Sequence, residues 1–426
     1  MNNCALIIGY VWPEPNSSAA GSRIVQLVQA LQDGGFDVHF ACAATPTDHQ
    51  IDLSSLKVTP HTVALNCSSF DEFVEQLQPR VVLFDRFVTE EQFGWRVAQS
   101  CPDALRVLDT EDLHSLRYAR QALLKQSLQA SASVGPVLAG SDVIFSAMRD
   151  SDMILREVAA IFRCDLTLMI SDYEIQLLTD YCHVPASLLY HLPFMVQSSN
   201  RLQPSFAARQ NFVSIGNFRH APNWDAVLWL KQSIWPLLRK LCPDAELHIY
   251  GAYPPKKATD LTNARERFLV KGWADDAQQV VENSRVLLAP LRFGAGIKGK
   301  LIDAMQTATP SVVTSIAAES MPGDHPWPGR RADTAEAFSQ EAATLYGSES
   351  DWADAARLCR PLLQARYDFS GHTSDFLRLI NERLSNLESY RRDNFLAAMF
   401  QYHSARSTEF MSRWIEVKSR LKTLQE

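Results

Sequence analysis

Short apolar runs that end near a glycine or an aspartate recur along this 426-residue sequence, and each is followed by a stretch with helical periodicity. Residues 5–10, 81–85 and 105–109 are runs of this kind. Strands this apolar are typical of a parallel sheet that is buried on both faces. After the first run, Gly21 and Ser22 open a segment with apolar residues every three or four positions, which indicates an amphipathic helix. The alternation predicts a doubly wound α/β domain.

The same alternation starts again at residue 211, beyond an aperiodic segment at 192–209 that indicates a linker. The first helix of this second unit is predicted at Asp225–Leu241, with Asn223 as its N-cap. The last part of the sequence predicts nearly unbroken helix. We therefore expect an amino-terminal domain at residues 1–195, a second domain at 210–370 and a helical extension at 371–426.

The segment from Arg292 to Met305 carries the densest chemical signal. It follows a predicted buried strand and opens a predicted helix. Its glycines let backbone N–H groups approach an anion, and the amino end of a helix adds partial positive charge. Lys298 and Lys300 add full charges. These features predict a phosphate-binding site before any family is considered.

Three patterns compete for this segment. The G-x-G-x-x-G spacing at residues 294–299 matches a dinucleotide fingerprint, with Glu319 further on, but that motif belongs on the first strand of its unit. The P-loop pattern fails because Leu301 stands where a serine or threonine must hold magnesium. The third pattern is the diphosphate site of a nucleotide-sugar enzyme, in which a downstream acid such as Asp303 holds the ribose.

Four segments of the second unit resemble, in order and spacing, the carboxy-terminal domain of the family-four glycosyltransferases, also called glycosyl transferases group 1. They are residues 212–227, 248–251, 270–276 and 288–300. The resemblance implies the GT-B architecture, in which two Rossmann-like doubly wound domains face each other across a cleft. It also implies transfer of a sugar from a nucleotide-diphosphate donor to a glycan, lipid-linked or protein acceptor. The implied reaction retains the anomeric configuration and needs no metal or other cofactor.

The resemblance also implies which residues meet the donor. Lys298, Lys300 and the amides of residues 294–297 would bind the diphosphate, Asp303 would hold the ribose, and Trp273 would pack near the base. The full set of expected donor-binding residues, besides Lys298, is Gly21, Ser22, Gly216, Asn217, Arg219, Gly272, Trp273, Gly294, Ala295, Gly296, Ile297, Lys300 and Asp303.

Two features depart from the family pattern. The family often carries a Glu-x7-Glu pair, and the corresponding positions are Ala295 and Asp303. Asn217 and Pro222 stand where an arginine and a lysine are common, so we expect Lys298 to supply the diphosphate charge, with Arg219 as a second cation. A catalytically degenerate GT-B binding or assembly protein and a GT-B sugar-nucleotide epimerase are therefore kept as alternatives.

The reaction centre is expected at the end of the strand at 105–109, because α/β sheets bind ligands at the carboxyl ends of their strands. The family tends to place a His-Asp pair here, which in register falls on Glu111 and Asp112. His114 is displaced by three residues. Either Glu111 substitutes for the histidine, or His114 reaches the site from a helical turn. Together with Lys298, these two residues are the predicted catalytic set.

Composition argues against other classes. The formal net charge of −7 is unlike that of a protein that grips nucleic-acid phosphates. No C-x-x-C or H-E-x-x-H pattern is present, so we predict no metal site. The amino terminus lacks the basic region of a signal peptide, and no apolar run is long enough to span a bilayer. We expect a cytoplasmic protein and leave peripheral attachment to a membrane open.

The helical extension contains a repeating apolar pattern. Its members, at a 4-3-4-3 spacing typical of a seam between two helices, are Phe410, Trp414, Val417, Leu421 and Leu424. The last helix of a GT-B enzyme commonly crosses back onto the first domain, which requires about 20 residues. Packing of the seam within the chain and a homodimer through this helix are both open, and the length of the extension favours the homodimer.

Overall fold

The computed structural model describes residues 3–131, 134–197 and 202–425. Within these ranges the chain forms two parallel sheets, one in each half. The sheet of the first domain ends at His191, and that of the second begins at Gln210. The predicted architecture of two Rossmann-like domains and a helical extension is therefore confirmed.

The first sheet has the strand order β3-β2-β1-β4-β5-β6-β7, and its neighbouring strands are all parallel. Its strands are β1 Cys4–Gly9, β2 Asp37–Cys42, β3 Thr59–Thr62, β4 Val81–Asp85, β5 Leu105–Asp109, β6 Leu166–Met169 and β7 Leu189–His191. The helices of this domain are α1 Ala19–Asp33, α2 Ser69–Leu77, α3 Phe87–Ser100, α4 His114–Ala130, α5 Ser141–Arg149, α6 Asp152–Arg163 and α7 Asp172–Cys182.

Both faces of the first sheet are covered. Leu6 and Ile8 of β1 pack into one apolar cluster, whereas Ala5 and Ile7 pack into another on the opposite face. Side chains of a strand alternate between the two faces, so a strand that is buried on both must be apolar throughout. This explains the apolar runs seen in the sequence.

The second sheet has the order β10-β9-β8-β11-β12-β13 and is also parallel. Its strands are β8 Gln210–Ile215, β9 Leu247–Tyr250, β10 Phe268–Gly272, β11 Ser284–Ala289, β12 Ser311–Val313 and β13 Gly329–Arg331. Its helices are α8 Ala221–Trp229, α9 Trp235–Leu241, α10 Lys256–Thr259, α11 Ala277–Asn283, α12 Gly299–Gln306, α13 Ser315–Ala318, α14 Ala335–Gly347 and α15 Glu349–Tyr367.

The predicted N-cap of the second domain's first helix is wrong. Helix α8 begins at Ala221 and has His220 as its N-cap, because Pro222 is well suited to the first turn of a helix. Asn223 therefore lies inside that turn. Its side chain donates to the carbonyl oxygen of Asn217 and accepts from Lys300, so it belongs to the candidate site.

The helical extension crosses back onto the first domain. Its helices are α16 Phe369–Ser385, α17 Leu387–Asp393 and α18 Phe395–Gln425. Phe376 and Ile380 of α16 are fully buried in an apolar cluster of the first domain. Helix α18 packs on α3 and α6. Among the described residues, no helix is long and apolar enough to cross a bilayer.

The apolar seam of α18 is not buried within the chain. Phe410, Trp414, Val417 and Leu421 are 55–66% exposed, and the side chain of Leu424 lies outside the described residues. The alternative in which these four residues pack within the chain is therefore wrong. The homodimer stays a prediction.

Candidate functional site

A cleft of about 1180 Å³ lies between the two domains and is lined by residues of both. The loops after β1, β4 and β5 form one wall, and those after β8 and β11 form the other. Of the predicted site residues, the structure places the following in the lining: Gly21, Ser22, Glu111, His114, Gly216, Asn217, Arg219, Gly294, Ala295, Gly296, Ile297, Lys298, Lys300 and Asp303. Gly272 and Trp273 are not among the lining residues.

Two helices, one from each domain, begin at the cleft and meet there. Gly299 starts α12, and a Cβ atom added to it would lie 2.9 Å from the Cβ of Ala19, which starts α1. The N-cap of α1 is Ser18, whose hydroxyl accepts from the amide of Gly21. Because helix amino ends carry partial positive charge, this junction favours an anion.

The loop at residues 294–298, directly before α12, is called the glycine loop, and it contacts the first domain. Gly296 has a φ of 62°, and a Cβ there would approach the Cβ of Asp112 to 2.9 Å. Only glycine fits this close approach without strain. The amide of Gly296 donates to Oε1 of Glu174 at 2.7 Å. One of the amides predicted to face the diphosphate is therefore already bound by a carboxyl group of the first domain.

The two lysines of the segment are held in different ways. Nζ of Lys298 donates to the carbonyl oxygen of Gly296 at 2.5 Å. Nζ of Lys300 donates to Oδ1 of Asn223 at 2.8 Å, and a side chain at Gly216 would collide with it. Burial lowers the pKa of Lys298 to about 8, although the Glu319 carboxylate opposes this shift. Burial and the neighbouring Lys298 lower the pKa of Lys300 to about 7. A bound anion would reverse both shifts.

An ion pair joins the domains above the glycine loop. Arg120 of α4 donates to the carbonyl oxygen of Gly294 at 2.8 Å and to both carboxylate oxygens of Glu319 at 2.6 and 2.7 Å. The sequence prediction missed Arg120. The partners are 199 residues apart, and nothing in the local pattern of either segment indicates that they meet.

Glu111 lies at the end of β5 in a strained backbone conformation, with a φ of 62°. Its Oε1 atom is buried and has no hydrogen-bond partner among the described residues. Burial and the nearby carboxylates of Asp109 and Asp85 raise its pKa well above the usual value. Asp109 itself forms a fully buried ion pair with Arg23. Strained residues with unsatisfied polar atoms concentrate at functional sites, which keeps Glu111 a candidate.

His114 begins α4 on the same wall. Its Nε2 atom lies 3.6 Å from Oδ1 of Asp112, and its ring packs edge-on against Phe87. Burial, which outweighs the effect of Asp112, lowers the pKa of His114 to about 4. Despite burial, Arg117 and His114 lower the pKa of Asp112 to about 2. At neutral pH this wall therefore presents a neutral imidazole beside a carboxylate.

Aromatic contacts close one end of the cleft. Trp273 stacks on His49 of the first domain, with ring centroids 3.9 Å apart. Arg219 lies over the ring of Tyr253 at 3.6 Å, and the hydroxyl of Tyr253 donates to Oε1 of Glu14. Trp273 thus occupies a contact between domains rather than the lining of the cleft, and the sequence prediction missed its partner. Gly272 takes a φ of 76° and accepts a backbone hydrogen bond from Gly251.

Within the described ranges, no group of three or more His, Cys, Asp and Glu side chains is arranged to hold a metal ion. The expectation that the reaction needs no metal stays a prediction.

Comparison with protein families finds a similarity in the second domain. Residues 209–348 match the family model of the glycosyl transferases group 1. This range contains β8 to α14 and so includes the glycine loop and both lysines. A protein from Klebsiella pneumoniae, "Uncharacterized 44.6 kDa protein in cps region", is 27% identical over 122 residues. That match covers 27% of this chain and 31% of the relative.

Solved structures resemble the chain over most of its length. Sucrose-phosphate synthase from Thermosynechococcus elongatus has a TM-score of 0.66 and 13% identity, covering 89% of this chain and 99% of its own. A glycosyltransferase from Rickettsia africae has a TM-score of 0.63 and 10% identity, covering 91% of this chain and 100% of its own. HepE from Anabaena, in complex with UDP-glucose, has a TM-score of 0.63 and 10% identity, covering 90% of this chain and 99% of its own. The chain therefore shares the GT-B fold of these structures, and its residues 209–348 are similar to the glycosyl transferases group 1.

Proposed function

We propose that this chain transfers a sugar from a nucleotide-diphosphate donor to a glycan, lipid-linked or protein acceptor, with retention of the anomeric configuration. The observation that carries the proposal is the pair of lysines at the start of α12, the buried Lys298 and the half-buried Lys300. Both line the cleft and have lowered pKa values, as expected for amines of an anion-binding site in which no anion is bound.

The donor diphosphate would lie against these lysines and the amino ends of α1 and α12. When the bond from the sugar to the diphosphate breaks, negative charge grows on the leaving phosphate. Fixed cations and helix dipoles stabilise such charge without reorganising, which is the largest single source of catalysis in many enzymes. Asp303 lies further along the cleft wall on α12 and would hold the ribose hydroxyls.

The reaction needs no strong base from the protein. The bond between the anomeric carbon and the phosphate oxygen breaks, and the acceptor oxygen forms its new bond on the same face of the sugar. The proton of the acceptor passes to the leaving phosphate. The wall that carries Glu111, His114 and Asp112 would then orient the sugar and stabilise the positive charge that develops at the anomeric carbon.

Turnover of nucleotide sugars tests this proposal. Because HepE is solved with UDP-glucose, this donor heads a panel of UDP-, GDP-, ADP- and dTDP-sugars. We expect slow hydrolysis of one donor without an acceptor, with the released sugar first appearing in the anomeric configuration of the donor. Lys298→Ala should lower the rate by about 10² to 10³ fold. Lys125→Ala, at an exposed position of α4, is the matched control.

Three outcomes would replace the proposal. Epimerised donor would indicate a sugar-nucleotide epimerase. Donor binding without any turnover, under all acceptors tried, would indicate a degenerate binding protein. Equal turnover by the parent and by Lys298→Ala would show that the diphosphate site lies elsewhere.

A further inference from the structure

Helix α18 turns a largely polar side to the first domain. Ser412 is 4% exposed and accepts from Arg96. Glu416 accepts from the amide of Ser68, and Glu409 accepts from the side chain of Gln99. A helix on the surface of a globular protein normally buries its apolar stripe and exposes its polar side. From residue 401 onward, α18 is oriented the other way.

The outer side of α18 is apolar, and its apolar residues follow one another along the helix axis. We define the tail stripe as six residues: Phe395, Met399, Phe410, Trp414, Val417 and Leu421. Their exposed fractions lie between 41% and 74%. Their spacing brings them to one side of the helix. Aromatic and aliphatic side chains exposed in such number mark an interaction surface.

Positive charge flanks the tail stripe. From residue 395 to 425 the sequence has five Arg and Lys residues and two Glu residues, in a chain whose net charge is −7. Glu409 and Glu416, with side chains 17% and 14% exposed, form ion pairs with Arg413 and Arg420 of the same helix at 2.8 and 2.6 Å, which leaves a net excess of three positive charges. The basic residues are exposed and lie beside the stripe: Arg406, Arg413, Lys418, Arg420 and Lys422. Three of them, Arg406, Arg413 and Arg420, are spaced seven apart and form one row.

We propose that α18 binds the surface of an anionic lipid bilayer, with the tail stripe inserted among the headgroups and the basic residues paired with lipid phosphates. A helix that lies in a membrane interface combines an apolar face carrying Trp, Phe and Leu with Lys and Arg at its borders. Long basic side chains extend along apolar surface and keep their charged ends at the phosphates. The polar side of α18 stays on the first domain.

The same charges disfavour a second copy of the chain as the occupant. Two helices that pair along an apolar seam place the residues beside the seam against each other, and opposite charges there select the partner. In α18 the basic residues outnumber the acidic ones by five to two, and both glutamates are already paired with Arg413 and Arg420 of their own helix. Pairing of two tail stripes would therefore bring like charges together, whereas a phosphate-rich surface complements them.

Flotation of the full-length protein with vesicles tests this proposal, which is independent of the glycosyl transfer proposed above. We expect binding to vesicles of phosphatidylcholine mixed with phosphatidylglycerol, little binding to phosphatidylcholine alone, and release at high salt. The double substitution Phe410→Gln/Trp414→Gln should weaken binding at least ten-fold. Lys418→Gln/Lys422→Gln should weaken it by a similar factor, since each basic residue near an anionic surface contributes about five-fold.

Matched controls and a mass measurement complete the test. Leu202→Gln/Leu241→Gln removes one exposed leucine of the linker and one of the second domain and should leave vesicle binding unchanged. All variants change exposed side chains, and unaltered thermal unfolding would show that they fold. Failure of the parent to bind, or equal binding to both kinds of vesicle, would overturn the proposal. So would a full-length dimer, seen by light scattering, that Phe410→Gln/Trp414→Gln converts to a monomer.

Discussion

Lys298 and Lys300 share one wall of the cleft and both have pKa values lowered by burial, so the binding of an anion should be coupled to protonation. With pKa values of about 8 and about 7, the two amines are partly neutral at pH 7.5. A bound diphosphate favours their charged forms, and binding must then take up protons.

We predict uptake of about one proton at pH 7.5 when a nucleotide sugar binds, and an affinity that falls as the pH rises above 7. Calorimetry in buffers of different ionisation enthalpy measures this uptake. In Lys300→Gln the uptake should fall to a fraction of a proton, because the amine that is mostly neutral is gone. Binding without proton uptake by the parent protein would contradict the assignment of both lysines to the donor.

Glu174 provides a second residue-level test. It accepts from the amide of Gly296, its other oxygen has no partner in the described part of the chain, and burial raises its pKa to about 8. At pH 7 it is therefore mostly neutral. We expect Glu174→Gln to keep most of kcat/KM, since an amide can accept the same bond. Glu174→Ala should lose about ten-fold, because the buried amide of Gly296 then has no partner. Equal damage by both substitutions would instead indicate that the negative charge is needed.

Glu111 and His114 can be separated by truncation of each side chain to alanine. The variant that lacks the side chain at the reaction centre should lose transfer activity, while its donor affinity and its thermal midpoint of unfolding stay nearly unchanged. Kinetics and thermal melts of the two variants provide this comparison. Loss of more than about 2 kcal/mol of stability with unchanged specific activity would mark that residue as structural.

The residues that local sequence pattern could predict are those whose roles depend on their own loop. Gly296 and Lys298 are of this kind, since glycine freedom and positive charge are visible in one short segment. Arg120 and Glu174 were missed because each acts on a loop of the other domain. Helical segments with scattered charges occur on most protein surfaces, so neither residue stands out before the domains are seen together.

At the scale of elements, the junction of α1 and α12 depends on the glycine at position 299, which has no side chain. A Cβ at Gly299 would lie 2.9 Å from that of Ala19, so Gly299→Ala should separate the two helix ends. We predict a loss of about 1–3 kcal/mol of stability and weaker donor binding. Gly347→Ala is the control, because among the described residues no atom beyond its chain neighbours and its own helix backbone lies within 4 Å of the added Cβ. Denaturant unfolding of the two variants measures the difference, and equal stabilities would mean that the junction adapts.

Strands were easier to predict than helix faces. The apolar runs of β1, β4 and β5 specify strands of a two-sided sheet wherever they occur. The face that a helix buries depends on the element against which it packs. Helix α18 shows how a prediction from its own sequence fails. Its apolar spacing indicated a seam, but hydrogen bonds from Ser68 and Gln99 to Glu416 and Glu409 hold the other side against the first domain.

At the scale of the whole molecule, contacts of three kinds connect the walls of the cleft. Examples are the Arg120–Glu319 ion pair, the stacking of His49 on Trp273 and the hydrogen bond from Tyr253 to Glu14. The two-domain arrangement followed from repeated α/β patterns and from resemblance to a family. The distance between the domains could not be predicted in the same way, because these contacts join distant segments through side chains that no local sequence pattern singles out.

The central claim is that the cleft recognises a diphosphate, and equilibrium binding of nucleotides to the full-length protein tests it most directly. Titration with UDP, GDP, ADP and dTDP, each beside its monophosphate, should show one preferred base. For that base we predict that the diphosphate binds at least ten-fold more tightly than the monophosphate, that Lys298→Ala removes this preference, and that Lys125→Ala preserves it. Equal affinity for mono- and diphosphate, or a preference that survives Lys298→Ala, would contradict the claim.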